Sequence, residues 1–177
     1  MNRIGLSIRI MIATGLRSQE MLALQTEHVE PDGSVIHVRQ AVKLVKGTVS
    51  IGPTKSRDSV RDVPVPESVR QYVVMLLALQ TNGYLWGSPK TNKPVNPSWF
   101  RTSFEAELAK IDGVRKLTPH CCRHTYVSHL QAMGVDIQTI QYLSGHAEIK
   151  MTEHYLHVQN SVKTKAVEKL DAFLSAC

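Results

Sequence analysis

Apolar positions between residues 3 and 13 fall at Ile4, Ile8, Met11 and Ile12, the i, i+4, i+7, i+8 spacing of one helical stripe, and Gly15 follows as a stop. This predicts a helix that starts almost at residue 1. Ser18 is placed to cap a second, short helix bearing Met21, Leu22 and Leu24, after which Pro31-Asp32-Gly33 marks a turn. From 34 to 65 the pattern changes to β-branched runs: Val35, Ile36 and Val38; Val42, Leu44 and Val45; Val49 and Ile51; Val60, Val63 and Val65. Gly47 and the polar TKSRDS separate them, which predicts one small three-stranded antiparallel sheet.

Helical spacing returns after Pro66-Glu67, with Val69, Val73, Leu76 and Leu77 on one side through about Gln80, and Asn82-Gly83 closes the run. A proline-rich loop at 88–97 precedes a helix carrying Trp99, Phe100, Phe104 and Leu108. Thr118 and Pro119 supply an N-cap and a first helical residue for a helix through Met133, closed by Gly134. Residues 136–143 and 148–156 read as short helices around Gly145, and 161–175 as a last one with Val162, Ala166, Val167, Leu170 and Leu174 in register. No repeat or domain-scale linker interrupts the chain. The fold class is α+β, mainly α, in a single domain over 1–177. A domain seldom opens directly on a core helix, so further chain ahead of Met1 is expected.

Composition narrows the class. At 177 residues, 42% hydrophobic and 20% charged, the chain is too apolar for a disordered tail and long enough for one core. The longest apolar stretches, residues 10–13 and 73–79, are far below the roughly 18 residues that span a bilayer. The N-terminus, with Arg9 inside its apolar stretch, is unlike a cleavable signal. Three cysteines, two of them adjacent (Cys121, Cys122), make a poor disulfide framework and suit free thiols in a cytoplasmic protein. A net charge of +6 favours a polyanionic partner without naming it.

Four polar clusters break the apolar pattern: TGLRSQE at 14–20, PTKSR at 53–57, PHCCRH at 119–124 and GHAEIKMTEHYLH at 145–157. His120 and Arg123 share a face in the first turn of a helix, where free backbone N–H groups attract an anion. An isolated H-x-x-R is more often a capped helix with a solvated Arg. Arg17 is either a surface residue paired with Glu20 at i+3, or an Arg set between core helices whose guanidinium serves a site, with Glu20 orienting it. Lys55 lies on a loop between strands, and His146 follows Gly145 at a helix junction with Tyr155 nine residues later; each alone is ordinary surface or core chemistry. Zinc is rejected for His120, Cys121, Cys122 and His124, because neighbouring helix positions point about 100° apart and cannot converge on one ion.

Taken in order, Arg in TGLRSQE, Lys in a β-hairpin loop, H-x-x-R at a helix start, G-H, and Tyr nine residues after that His resemble the tyrosine recombinase (phage integrase) family over about residues 3–175. The resemblance implies a catalytic domain that cleaves and rejoins DNA at specific sites through a 3′-phosphotyrosyl intermediate, integrating or excising a phage or mobile element. It implies Arg17 and Arg123 as the clamp on the scissile phosphate and Lys55 as the acid for the leaving 5′ oxygen. His120 and His146 become further phosphate ligands and acid/base helpers, Tyr155 the nucleophile, and Glu20 a supporting residue. It further implies double-stranded DNA as partner, a tetrameric synapse, no cofactor or metal, and a DNA-binding domain ahead of this one, so that the isolated domain is expected to be a weak, monomeric DNA binder. Cys at both positions inside HCCRH, and SGH where LGH is usual, depart from the family pattern beside the implied catalytic residues. Two rivals share parts of this set: a type IB topoisomerase, disfavoured by the small size and the G-H to Tyr spacing, and a DNA-binding module that has lost catalysis, disfavoured by the complete six-residue set.

Overall fold

The computed structural model describes residues 2–45, 47–54 and 59–145. Among these, helices are the main regular element: α1 (Arg3–Thr14), α2 (Ser18–Ala23), α3 (Glu67–Ala78), α4 (Pro97–Leu108), α5 (Pro119–Ala132) and α6 (Ile137–Ser144). Six strands accompany them: β1 (Val35–Val38), β2 (Gln40–Val45), β3 (Thr48–Pro53), β4 (Arg61–Pro64), β5 (Gly87–Ser88) and β6 (Lys93–Pro94). The helices expected at 148–156 and 161–175 lie outside the described residues.

α1 is the central post, packed by α3, α4 and α5 on different sides. That position explains a departure from the single stripe. Ile4, Leu6, Ser7, Ile10, Met11 and Thr14 are buried on one broad face of about 160°, rotated away from the expected stripe so that Ile8 is only half-buried and Ile12 stays 37% exposed. Polar Ser7 is tolerated there because the Trp86 indole N–H donates to its Oγ at 3.0 Å. Trp86 in turn meets Phe100 edge-on at 5.1 Å between ring centres, and Phe104 continues the aromatic row into the α1–α4 seam.

The β region corrects the expectation of one three-stranded sheet. Three two-stranded antiparallel ladders form instead: β1 with β4, β2 with β3, and β5 with β6. β2 and β3 pair across a reversal beside Gly47 at φ +78°, and β4 then returns to pair with β1. β1 and β2 are therefore two halves of one outgoing strand joined by Arg39, and β3 and β4 are two halves of the returning one, separated by residues 54–60. Arg39 on one side and residues 54–60 on the other leave the two ladders each with their own register.

Helix ends follow the expected punctuation with small shifts. Asn2 and Asp136 cap α1 and α6 by accepting the N–H of Gly5 and Thr139. α3 stops at Ala78, before the Asn82-Gly83 turn, and α5 stops at Ala132. At α2 the cap is Arg17 rather than Ser18, because the Glu20 carboxylate reaches back to accept the Arg17 N–H.

Candidate active site where α1, α2, α5 and α6 meet

The site grows out of one tight junction. Gly15 ends α1 in the left-handed conformation, φ +66°, and its N–H closes onto the Met11 carbonyl. A side chain here would also collide with the Tyr126 ring, so glycine is what lets α5 close on the end of α1. Arg123, one turn inside α5 and 1% exposed, then donates from Nη1 to the Gly15 carbonyl at 2.8 Å. Two residues beyond that carbonyl, past the fully buried Leu16, stands Arg17.

Arg17 is held on both sides. Its Nη1 donates to Glu20 Oε1 at 2.6 Å and its Nη2 to the carbonyl of Gly145 at 2.9 Å, at the end of α6. The i+3 pair of the first reading is present, with the Arg17 side chain 30% exposed, and the Gly145 contact adds the placement between helices that the second reading expects.

His120, in the first turn of α5, remains open to solvent at the same junction. Partial burial of its ring, together with the positive fields of His124, Arg123 and Arg17, lowers its pKa below the ordinary histidine value and holds the ring neutral at pH 7. His124 meets it edge-on at 4.5 Å between ring centres. Cys122 points the other way into the core, where burial pushes its thiol up to about 12, so it is packing rather than chemistry.

Beside His120 opens a cleft of about 370 Å³ between the starts of α2, α4 and α5, lined by Ser18, Ser98, Arg101, Thr118 and His120. Asn96 accepts the Ser98 N–H and Glu105 pairs with Arg101 at 2.9 Å, so the cleft's attraction for an anion comes from the positive dipole ends of α4 and α5. Of the other basic residues, Lys90 and Lys93 border a separate groove of about 1220 Å³ beside Trp86 and Trp99, and Arg115 and Lys116 border a third depression.

One residue escaped sequence reasoning. Arg61, at the start of β4, is 2% exposed and donates from Nη2 to Glu20 Oε2 at 3.1 Å and from Nη1 to Glu20 Oε1 at 3.3 Å. Burial alone would raise the Glu20 carboxyl pKa, but Arg61 and Arg17 outweigh it and hold the group below the usual range, ionised. The signal was the alternation itself: Arg61 and Val63 share the inward face of β4, so a charge stood where only a partnered one can survive.

The structure therefore brings together Arg17, Glu20, His120 and Arg123, with Gly145 beside them. Lys55, His146 and Tyr155 lie outside the described residues. Among the described residues no group of three or more His, Cys, Asp or Glu is arranged to hold a metal ion, and no helix is long and apolar enough to cross a membrane.

A family model described as the phage integrase family matches residues 2–161. This chain belongs to the phage integrase family. Its similar relatives within that family include tyrosine recombinase XerD of Haemophilus ducreyi, 29% identical over 171 residues, covering 92% of this chain and 52% of the relative. A tyrosine recombinase of Thermosipho africanus is also 29% identical, over 93% of this chain and 53% of its own length. The chain thus spans about half the length of the curated relatives it matches. In fold it is similar to the Tn1549 transposon integrase in complex with transposon right end DNA, with a TM-score of 0.80 and 23% identity over 94% of this chain and 58% of that one. It is also similar to the catalytic domain of bacteriophage HP1 integrase, with a TM-score of 0.56 and 25% identity over 93% of this chain and 80% of that one. The phage integrase fold is accordingly mainly helical here, with small antiparallel ladders.

Proposed function

We propose that this chain is the catalytic domain of a site-specific tyrosine recombinase that cuts and rejoins DNA through a 3′-phosphotyrosyl link, in the integration or excision of a phage or mobile element. The observation that carries the reading is the hydrogen bond from Arg123 to the Gly15 carbonyl, which ties the helix bearing His120 to the junction bearing Arg17. Family membership and the neutral His120 add to it.

Attack of a phenol on a phosphodiester builds negative charge on the equatorial oxygens, so fixed cationic donors aimed there stabilise the transition state over the ground state. Arg17 and Arg123 are the clamp in this scheme. Guanidinium is planar, permanently charged and able to grip two oxygens, while Lys55 offers a transferable proton for the leaving 5′ oxygen. Tyr155, with an ordinary pKa of about 10, needs that field to ionise as it attacks. His120, neutral at pH 7, can accept a proton or donate one, and His146 completes the phosphate ligands. The phosphotyrosyl bond conserves the energy of the broken one, so rejoining needs no nucleotide or metal cofactor. Arg101 and the helix starts around the cleft beside His120 hold neighbouring backbone phosphates.

The partner is double-stranded DNA at recombination sites, assembled in a tetrameric synapse, and the protein works in the cytoplasm. In the full-length protein a further DNA-binding domain clamps the duplex; the 177 residues alone bind DNA weakly, and nanomolar affinity at physiological salt would contradict this. The reaction is tested with a nicked suicide substrate and the full-length protein. The expected result is an SDS-stable DNA adduct that Tyr155→Phe abolishes. No adduct from either protein would leave only a DNA-binding module, and relaxation of supercoiled plasmid without synapsis would favour a topoisomerase.

A further inference from the structure

Arg61 lies in neither the recombinase signature nor the cleft, yet its guanidinium is spent on what surrounds the candidate site. Its side chain is wholly inaccessible to solvent. Besides Glu20, it donates from Nε to the Leu143 carbonyl at 2.9 Å and from Nη1 to the Ser59 carbonyl at 3.1 Å. Gly145 packs on it so closely that a Cβ there would lie 2.8 Å from Arg61 Nη1, and Gly145 itself is in the left-handed conformation at φ +62°. The contacts close a ring: Arg17 to Glu20, Glu20 to Arg61, Arg61 to the end of α6, and the Gly145 carbonyl back to Arg17. Arg17 to Glu20 is a local i,i+3 pair, and the other three links cross between elements far apart in sequence.

We infer that Arg61 is a positioning residue of this recombinase: it fixes the backbone at Leu143–Gly145, which leads in sequence to His146, relative to Arg17, and holds the Ser59 carbonyl, four positions after Lys55 in sequence. The inference rests on the recombinase reading and adds a residue to it. Two features make arginine necessary rather than any cation. Glu20 must stay ionised to orient Arg17, which a neighbouring positive charge achieves. The two carbonyls and two carboxylate oxygens lie in several directions at once, which a planar fork with five N–H donors can serve and a single ammonium on a flexible stem cannot. A Lys here would keep the charge and lose the alignment.

The test is Arg61→Lys in the full-length protein, with the single-turnover rate of phosphotyrosyl adduct formation on a nicked suicide substrate measured beside DNA affinity. Rates are expressed per folded molecule, from near-UV circular dichroism. Adduct formation should fall about 100-fold, the scale expected for a misplacement of about 1 Å, while DNA affinity stays within about threefold, because Arg61 is shielded from any ligand. Asp62→Asn, on the opposite face of the same strand, should leave the rate unchanged. If Arg61→Lys lowers the folded fraction, the double variant Glu20→Gln/Arg61→Met removes both buried charges and should again bind DNA while forming adduct slowly. A wild-type rate in either variant, or a loss of rate matched by an equal loss of affinity, overturns the positioning role. Failure of the wild type itself to form an adduct overturns the recombinase reading as well, so the two failures are told apart by the wild-type lane.

Discussion

Arg61 and Asp62 are neighbours on β4 and face opposite ways, and each is the centre of an ionic cluster. Inward, Arg61, Glu20 and Arg17 form a network in which the Arg61 and Glu20 side chains are at most 2% exposed. Outward, Asp62 joins Arg39 at 2.5 Å and His37 at 2.8 Å, and His37 also reaches Glu30 at 3.2 Å, all on the surface of the β1–β4 ladder. The charges are similar and the distances comparable. What differs is water. Outside, solvent screens each pair and can replace any lost partner, so the cluster contributes little to stability. Inside, the cost of desolvation has already been met, and removing one partner strands the other. The lesson is that the same kind of ion pair is decoration on one face of a strand and a structural dependency on the other.

The sharpest way to break this comparison is Glu20→Ala. It leaves Arg61 buried with only carbonyl partners, and urea denaturation should show a loss of about 3–5 kcal/mol. A loss under about 1 kcal/mol would mean that water reaches Arg61 and that the two clusters are alike. Next comes Gly145→Ala. The left-handed backbone costs about 1–2 kcal/mol for any L side chain, and contact with Arg61 adds to it. Gly134→Ala is the control, since Gly134 has φ +77° but open space around it, so it should lose less than Gly145→Ala in the same assay. At the small end, Asp62→Asn should cost less than about 1 kcal/mol, an effect that disappears in 1 M NaCl, whereas the Glu20→Ala loss should persist there.

The two clusters also fail at opposite ends of the pH scale. The folded Glu20 carboxyl is held below its ordinary value, so its contribution is present above about pH 4.3 and is lost as pH falls through the folded pKa. His37 is the reverse. Hydrogen bonds to Asp62 and then Glu30 raise its pKa, so its contribution is present below about pH 6.5 and is lost as pH rises through the folded pKa. Histidine NMR titration should place His37 above the ordinary value in the wild type and lower in Asp62→Asn.

How much of this could be read from the residues alone follows the same inside–outside division. Helix boundaries were legible where Gly15, Pro119 and Gly134 act within a few residues of themselves, whereas the side-chain caps Asn2 and Asp136 were not singled out. The stripe on α1 was half right: Ile4 and Met11 lie on the buried face, but Leu6, Ile10 and the polar Ser7 and Thr14 complete it in place of Ile8 and Ile12, because neighbouring helices and the Trp86 partner of Ser7 decide which side turns inward. The ladders were misjudged because β-branched runs mark strands without saying which of them are two halves of one. Of the candidate site, Arg17, Glu20, His120 and Arg123 were singled out through their order in the chain, and the fold brings them to one junction. Arg61 was not, because its partners lie 41 and 82 positions away, at Glu20 and Leu143, and only folding brings them together.

The split hairpin has an evolutionary corollary. Because β1–β4 and β2–β3 each keep their own pairing, residues gained or lost between Pro53 and Arg61 change the reach of the Lys55-bearing stretch and leave the facing of β4 intact. Deleting a single residue within β4, by contrast, would exchange inside for outside and send an aspartate toward Glu20. Length variation in descendants of this chain should therefore be permitted on one side of Arg61 and forbidden on the other.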